Sequence, residues 1–303
     1  MLTSNAVRTV RGAGIVGRHL GRSHGERCAL FDYHVHTEFS VDCATAMTTS
    51  CVAAIDAGIT EIAFTDHIDH QPSDFGFGYY RIDDYFQALE DARREFGDRL
   101  TILAGAEIDF HTDTYDAVER WVNANLERYD FTIGSVHYAS EGRLIYPPLY
   151  DDMTLDAVFT AYLQEIESAV RTGWFCSIGH LDIPKRYLPK RYRSYEPADI
   201  RERLQPVFQA MIESNVGFEI NTSGIRQAPK TSMPGPSIVR WYADAGGTRI
   251  TTGTDSHTER TIGAGVPLTL EMLRLCGVPC VMSFRQRKGT PVEIEQLLAR
   301  AAA

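Results

Sequence analysis

Residues 249–257, Arg-Ile-Thr-Thr-Gly-Thr-Asp-Ser-His, combine a short β-branched run with two potential metal ligands. Such a run is typical of a buried strand. Side chains two positions apart on an extended chain point the same way, so Asp255 and His257 are expected to reach one place beyond the end of this strand. A carboxylate and an imidazole in that arrangement predict a metal site.

The same construction recurs along the chain. Residues 31–36, Phe-Asp-Tyr-His-Val-His, place His34 and His36 two positions apart at the end of another strand-like run. Further runs end in the single ligand-type residues His67, Glu107, His137 and His180. A lone histidine on an apolar strand is more often a core residue than a ligand, but a series of them at strand ends favours ligands. Imidazole and carboxylate groups suit Zn, Mn or Fe and are too numerous here for one ion, so a site of two or three metals is predicted.

Strand-loop-helix units alternate throughout the sequence, which indicates a parallel sheet covered by helices. Polar side chains from nearly every strand can meet only in a closed barrel, because the outer strands of an open sheet lie far from a common centre. Seven such units predict a distorted (β/α)7 barrel with its active site at the C-terminal ends of the strands. The expected strands cover 29–37, 61–65, 100–110, 131–136, 175–178, 217–221 and 249–257.

Helices are expected over 45–57, 82–96, 115–127, 155–170, 199–214, 237–245 and 268–275, with a last helix from about 292 after a short strand at 280–283. Thr45 is expected to be the N-cap of the first helix. Pro147-Pro148 predicts a loop without helix over 139–153. This loop, with the loops 70–80 and 184–193, is expected to close a deep pocket over the site. Residues 30–303 are expected to form a single domain.

The composition excludes several classes of protein. With 303 residues, of which 44% are hydrophobic, the chain can bury a substantial core. It has no apolar span of about 18 residues, so a soluble protein with no membrane partner is expected. The net charge of −10 speaks against non-specific binding of nucleic acid. The six cysteines form no Cys-x-x-Cys pair, which favours free thiols in a reducing cytoplasm.

Residues 1–29 differ from the rest of the chain, with five arginines against the single acid Glu26. No apolar core long enough for a secretory signal is present. We expect a disordered extension or a start codon assigned too far upstream. The alternative is a targeting leader, since arginine-rich, acid-poor leaders exist.

Seven short motifs carry a family resemblance in combination. They are Asp-Tyr-His-Val-His-Thr at 32–37, Phe-Thr-Asp-His at 64–67, Gly-Ala-Glu at 105–107, Gly-Ser-Val-His at 134–137, Gly-His-Leu-Asp at 179–182, Glu-Ile-Asn-Thr-Ser-Gly at 219–224 and Gly-Thr-Asp-Ser-His at 253–257. Over about residues 31–285 the chain resembles the polymerase and histidinol phosphatase (PHP) superfamily, specifically its histidinol-phosphate phosphatase branch. The resemblance implies a distorted (β/α)7 barrel, in agreement with the count of units.

The resemblance also implies how the ligands are shared among metals. One ion would be held by His34, His36, Glu107 and Asp255. A second would share Glu107 and add His137 and His180, and a third would take Asp42, His67 and His257. Many superfamily members have histidine where this chain has Asp42, which is a harder oxygen ligand and leaves the third ion open.

Further residues are predicted to act on the substrate. Arg186 and Arg226 follow the fifth and sixth strands and are predicted to bind phosphate oxygens through their guanidinium groups; the alternative for each is a solvated surface charge. Tyr146 is implied as a substrate contact, although its loop differs in length from the family pattern. The proton donor to the leaving group is left open among His257, Asp66 and a metal-bound water.

The implied activity is hydrolysis of a small phosphorylated substrate, L-histidinol phosphate, to L-histidinol and phosphate in histidine biosynthesis. A PHP-type nuclease or nucleotide phosphoesterase is the first alternative, since the basic and aromatic run 185–193 could follow a strand and stack bases. The acidic net charge opposes it. The second alternative is a non-catalytic metal-binding module, which the complete ligand set opposes.

Overall fold

The computed structural model describes residues 30–139, 142–192 and 195–301. The arginine-rich segment 1–29 lies outside these residues, as does Arg193 at the end of the basic run. No helix in the described part of the chain combines the length and the apolar character that a membrane crossing requires.

The strands are short and mostly buried. They are β1 Leu30–Val35, β2 Ile59–Phe64, β3 His67–Ile68, β4 Thr101–Asp109, β5 Phe131–Ser135, β6 Tyr138–Ala139, β7 Arg143–Leu144, β8 Ser177–Ile178, β9 Gly217–Asn221, β10 Ile250–Gly253, β11 Cys280–Arg285 and β12 Lys288–Glu293. All six residues of β1 are buried, so both faces of this strand pack against protein. That pattern is typical of parallel strands covered by helices.

Seven strands form one parallel sheet in the order β1, β2, β4, β5, β8, β9 and β10. Strand β10 returns to β1 through a bridge between Val35 and Ser256. There the backbone N–H of Asp255 donates to the carbonyl of His34 at 2.7 Å, and that of His36 donates to Ser256 at 2.9 Å. The sheet therefore nearly closes on itself, and the predicted distorted (β/α)7 barrel is confirmed.

Helices surround the sheet. They are α1 Met47–Asp56, α2 Ile82–Phe96, α3 Tyr115–Asn125, α4 Leu149–Asp152, α5 Leu155–Thr172, α6 Arg201–Ser214, α7 Ser223–Arg226, α8 Pro236–Asp244, α9 Val266–Leu275 and α10 Ile294–Ala301. In α2 the buried residues Tyr85, Leu89, Ala92 and Phe96 recur at helical spacing and make one apolar face. The prediction of this helix over 82–96 is confirmed.

Two local predictions about helices are wrong. Helix α1 begins at Met47 after Ala46, and the carboxylate of Glu38 accepts the Met47 N–H at 2.8 Å, so Thr45 does not cap it. The proline pair does not exclude a helix, because α4 starts directly after Pro148. A proline before the first helical turn removes no intrahelical hydrogen bond.

The strand predicted at 280–283 is half of a hairpin that the sequence did not reveal. Strands β11 and β12 pair antiparallel around Gln286 and Arg287, both with positive φ of 48° and 62°. Such a turn usually contains asparagine or glycine, so its ordinary signal is missing here. Phe284 of this hairpin packs against Tyr33 and Phe131, with ring centroids 6.1 and 5.0 Å away.

The hairpin closes the end of the barrel where the strands begin. Tyr33 donates a hydrogen bond to Glu61, and the Phe284 N–H donates to the Tyr33 hydroxyl at 3.0 Å. Arg285 donates to the second oxygen of Glu61 at 2.6 Å. The buried Glu61 carboxylate is thus paired and hydrogen-bonded, as a charge in this position requires.

Asp32 provides a test of barrel closure. Its buried carboxylate accepts the Thr254 N–H at 2.9 Å, the Thr254 hydroxyl at 2.6 Å and the Gly263 N–H at 2.9 Å, which ties β1 to the segment after β10. Asp32→Ala leaves these donors without an acceptor, and we expect the free energy of unfolding to fall by roughly 2–4 kcal/mol. Urea unfolding would measure it. The exposed Asp56→Ala is the control, and an equal effect of both variants would contradict this role.

Candidate metal centre

The predicted ligands meet where the barrel strands end. His34, His36 and Glu107 lie at or near the ends of β1 and β4, while His137, His180, Asp255 and His257 directly follow β5, β8 and β10. His67 begins β3, which pairs with β4 beside Glu107. The carboxyl ends of parallel strands share one rim, which explains why residues so distant in the chain come together.

Glu107 lies at the centre of this group and is buried. One carboxylate oxygen is 3.1 Å from His34 Nε2 and from His67 Nδ1, and 3.4 Å from His36 Nε2. The other is 3.1 Å from His180 Nε2 and 3.7 Å from His137 Nε2. Each oxygen therefore faces its own set of imidazoles, as a bridging ligand would.

Three sets of ligand atoms are close enough to hold an ion each. They are His34, His36 and Glu107; Glu107, His137 and His180; and His36, His67 and His257. Asp255 Oδ1 lies 3.4 Å from His36 Nε2, beside the first set. Asp42 Oδ2 lies 3.1 Å from His257 Nε2 and 3.8 Å from His67 Nε2, beside the third.

Hydrogen bonds fix which ring nitrogens carry protons. His34 Nδ1 donates to Glu219 at 2.8 Å, and His36 Nδ1 donates to the Ser40 hydroxyl at 2.9 Å. The two Nε2 atoms face each other at 3.1 Å and are left as the positions for a proton or a metal ion. Two Nε2 lone pairs at this distance would repel unless a proton or a metal ion lay between them, and the donor set fits a metal ion in that place.

The same constraint applies at the second set. His137 Nδ1 donates to Asp109 Oδ1 at 3.1 Å, which directs Nε2 of the same ring toward His180 Nε2 at 3.3 Å. At the third set, His257 Nδ1 donates to the Asp255 carbonyl at 3.2 Å, and its Nε2 faces the Asp42 carboxylate at 3.1 Å. A cation resolves both contacts.

The carboxylates around the cluster favour a positive charge among the imidazoles. Burial lowers the pKa of His34, but Glu219, Glu107 and Asp255 outweigh it and raise the pKa well above the usual range. Burial, with the rings of His257 and His67, lowers the pKa of His36 to about 3. A positive charge therefore belongs at His34, and imidazoles beside ionised carboxylates are the ligand type that Zn and related ions prefer.

Three buried carboxylates behind the ligands were not recognised in the sequence as supports. Glu219 orients the ring of His34 and also accepts the backbone N–H of His180 at 3.0 Å, and Asp109 orients the ring of His137. Asp66 accepts the Ser40 hydroxyl at 2.8 Å and so fixes the partner of His36. Glu219 opens one of the seven motifs, and Asp109 lies two positions after Glu107 on β4, so each had a signal.

The structure places Asp66 outside the cavity. Its side chain is buried and accepts the Thr37 N–H at 2.6 Å and the Thr37 hydroxyl at 2.8 Å besides that of Ser40. Burial raises its pKa to about 6. A carboxylate enclosed by three donors has no path to a leaving group, so Asp66 holds the loop after β1 and does not fit the predicted role of proton donor.

A cavity of about 260 Å³ opens over the cluster. Its walls include all three loops predicted to surround the site, with Asp74 and Phe75 from the first, Tyr146 from the second and Arg186 and Tyr187 from the third. The rings of Tyr146 and Tyr187 lie 5.5 Å apart. Tyr146 therefore faces the cavity.

The two predicted phosphate ligands differ in position. Arg186 lines the cavity, and its Nη2 donates to Ser223 at 2.7 Å and to Asp255 at 3.1 Å. Arg226 is not among the described residues that line it. Its guanidinium donates to the carbonyls of Thr254 at 2.7 Å and Ala264 at 3.4 Å, so it braces the loop that carries Asp255.

Glu219→Gln tests the support of His34. The amide presents a weaker acceptor to His34 Nδ1, and loss of such a partner lowers metal affinity by about 10- to 100-fold. Elemental analysis gives the ions per chain in the wild type, and competition with a chelator gives the affinity of the variant. Glu213→Gln, on the surface at 53% exposure, is the control. Equal affinities in both variants would contradict the support.

Comparison with known proteins agrees with this geometry. The PHP domain matches residues 32–223, more than half of the chain. A probable histidinol-phosphatase of Deinococcus radiodurans is 28% identical over 86% of this chain and 99% of its own length. The histidinol-phosphatase of Lactococcus lactis is 28% identical over 85% and 95%. The crystal structure of histidinol phosphate phosphatase from L. lactis complexed with Zn, L-histidinol and phosphate superimposes with a TM-score of 0.78 at 26% identity, covering 86% of this chain and 98% of that one. The chain belongs to the PHP domain family.

Proposed function

We propose that this protein hydrolyses L-histidinol phosphate to L-histidinol and phosphate, as a metal-dependent phosphoric monoester hydrolase of histidine biosynthesis. The observation that carries the proposal is the set of imidazoles around Glu107 at the base of a cavity that also holds Arg186. The curated names of the relatives and the ligands of the L. lactis structure support the substrate.

We propose that the cluster holds two or three divalent ions of Zn, Mn or Fe. His34, His36, Glu107 and Asp255 would hold the first, Glu107, His137 and His180 the second, and Asp42, His67 and His257 the third. Bound ions would supply Lewis acidity toward a water nucleophile and toward the phosphoryl oxygens. The protein supplies the lone pairs and the buried carboxylates that hold them in place.

Arg186 is proposed to bind the phosphoryl group. Its position is fixed by Ser223 and Asp255, and its buried Nε has no hydrogen-bond partner among the described residues. A fixed guanidinium with unused donors in a cavity can neutralise charge on phosphate oxygens without reorganising. Arg226 would act only indirectly, through the loop of Asp255.

The proton for the leaving alcohol is proposed to come from water. His257 is the only predicted side-chain donor that lines the cavity, since Asp66 is enclosed. Burial lowers the pKa of His257, but the hydrogen bond to Asp42 and the charge of Asp255 raise it to about 9, so a positive charge belongs between His257 and Asp42. When that charge is a metal ion, His257 is a ligand and cannot also donate a proton.

The basic run offers little support for the nuclease alternative. Lys185 is largely buried and donates to Asp182 at 2.7 Å and to the Ser232 carbonyl at 2.8 Å. Arg191 donates to the Tyr150 carbonyl. Lys185 is thus engaged inside the protein, whereas the Arg191 side chain is 47% exposed and also pairs with the surface residue Asp151 at 3.3 Å.

A phosphate-release assay over a panel of esters tests the function. We expect kcat/KM for L-histidinol phosphate to exceed that for p-nitrophenyl phosphate by at least about a hundredfold, because the cavity walls contact the organic half. A bis-aryl phosphodiester and a single-stranded oligonucleotide serve as competitors. If either proved the better substrate, the histidinol phosphate assignment would be wrong.

Arg186→Ala tests phosphate binding. We expect kcat/KM to fall by about two to four orders of magnitude, because charge on the transferred group is left without its counter-charge. Because Arg186 also contacts Asp255, metal content is measured in the same preparation. Arg260→Ala, at 86% exposure, is the control. If kcat/KM were unchanged at full metal content, Arg186 would not bind the phosphoryl group.

A further inference from the structure

Arg186, the proposed phosphate ligand, lies on a short 3-10 helix that covers Ile183–Tyr187. Its neighbour Lys185 belongs to the same helix but is not among the described residues that line the cavity. The Lys185 side chain is only 8% exposed, which is unusual for a lysine. A lysine buried beside a cavity-facing arginine has a role inside the protein.

The Lys185 ammonium group joins this helix to the end of β9. Its Nζ donates to the Asp182 carboxylate at 2.7 Å and to the Ser232 carbonyl at 2.8 Å. Met233, the residue after Ser232, pairs with Asn221, since each backbone N–H donates to the carbonyl of the other at 2.9 Å. Asn221 is the last residue of β9, so Lys185 holds the 3-10 helix against the barrel.

The guanidinium group of Arg186 reaches the same residue by another route. Arg186 Nη2 donates to the Ser223 hydroxyl at 2.7 Å. The Ser223 hydroxyl in turn donates to the Asn221 side-chain oxygen at 2.5 Å, and the Ser223 N–H donates to that oxygen at 3.0 Å. The backbone and the guanidinium group of Arg186 are therefore both fixed relative to the end of β9.

Tyr150 of α4 holds the 3-10 helix at a further point. It is 1% exposed, and its hydroxyl donates to the Pro184 carbonyl at 2.6 Å. Lys185 and Tyr150 thus anchor the chain just before Arg186. An arginine on an anchored backbone has less freedom to lose when it binds an oxyanion, and its charge need not reorganise during the reaction.

The buried Lys185–Asp182 pair is weak evidence for stability, because the cost of removing both charges from water offsets their attraction. What such a pair supplies is a fixed geometry. We propose that Lys185 is a positioning residue for phosphoryl binding, and that its contacts with Asp182 and Ser232 hold Arg186 where the phosphoryl group is bound. This inference rests on the proposed role of Arg186 and adds a residue that does not touch the substrate.

A double-mutant cycle between Lys185 and Arg186 tests the inference. Lys185→Met keeps an unbranched side chain and removes the ammonium group. We expect kcat/KM for L-histidinol phosphate and for p-nitrophenyl phosphate to fall by about 10- to 100-fold, the cost of a small displacement of a positioned group. The inhibition constant of inorganic phosphate should rise as well. In the Arg186→Ala background the same substitution should lower kcat/KM by less than about twofold, because the two residues act as one unit.

Lys190→Met, exposed in the same loop, is the matched control. Metal content and melting temperature are measured in every preparation. Tyr150→Phe is a second variant that removes one hydroxyl from the contacts of the 3-10 helix, and it should show the same pattern with a smaller loss. It decides the question if Lys185→Met does not fold.

A lowered melting temperature with unchanged kcat/KM and unchanged phosphate inhibition would overturn the inference. So would a loss of kcat/KM that persists undiminished in the Arg186→Ala background, since a merely structural contribution is independent of Arg186. Failure of the proposed function looks different. The wild type would then release phosphate from neither ester, or Arg186→Ala alone would leave kcat/KM unchanged.

Discussion

The buried carboxylate of Glu107 is the constraint on which the rest of this structure depends. Burial raises its pKa, but the charges and hydrogen bonds of His34, His67 and His180 reverse that effect and hold the pKa well below the usual range. An ionised carboxylate inside a protein must be surrounded by positive or proton-donating groups. The barrel meets this requirement by ending nearly every strand in a side chain that faces Glu107.

Closure of the barrel follows from the same requirement. The ligands on the first strand, β1, and those after the last strand, β10, can meet only if these two strands lie side by side. The backbone hydrogen bonds between His34 and the segment 255–256 join them. The residues that close the barrel, His34 and Asp255, are therefore also candidate metal ligands. The supports behind them, Glu219, Asp109 and Asp66, set the ring tautomers and would be needed in any metal-bound form.

Ligand positions could be predicted from the sequence because strand ends are visible as apolar runs and because few residue types bind metals. The supports were harder to predict, since a buried acid such as Glu219 inside a strand resembles any other polar interruption until its partner is known. Arg226 shows the same limit: its place after a strand suggested phosphate, but only the fold reveals the carbonyls of Thr254 and Ala264 within its reach. The hairpin of β11 and β12 lacked a signal because its turn, Gln286 and Arg287, is unusual in composition.

Strand β1 has consequences for how such a protein can diverge. Tyr33 contacts the hairpin at one end of the barrel, while Asp32 and His34 hold β10 and the metal ligands, so neighbouring residues of one strand serve both ends. The register of this strand cannot change, because a shift of one residue would exchange the side chains on its two faces. Variation in substrate must therefore accumulate in the three loops of the cavity wall. Grafting those loops onto an unaltered barrel is the natural route to a phosphatase with a different alcohol preference.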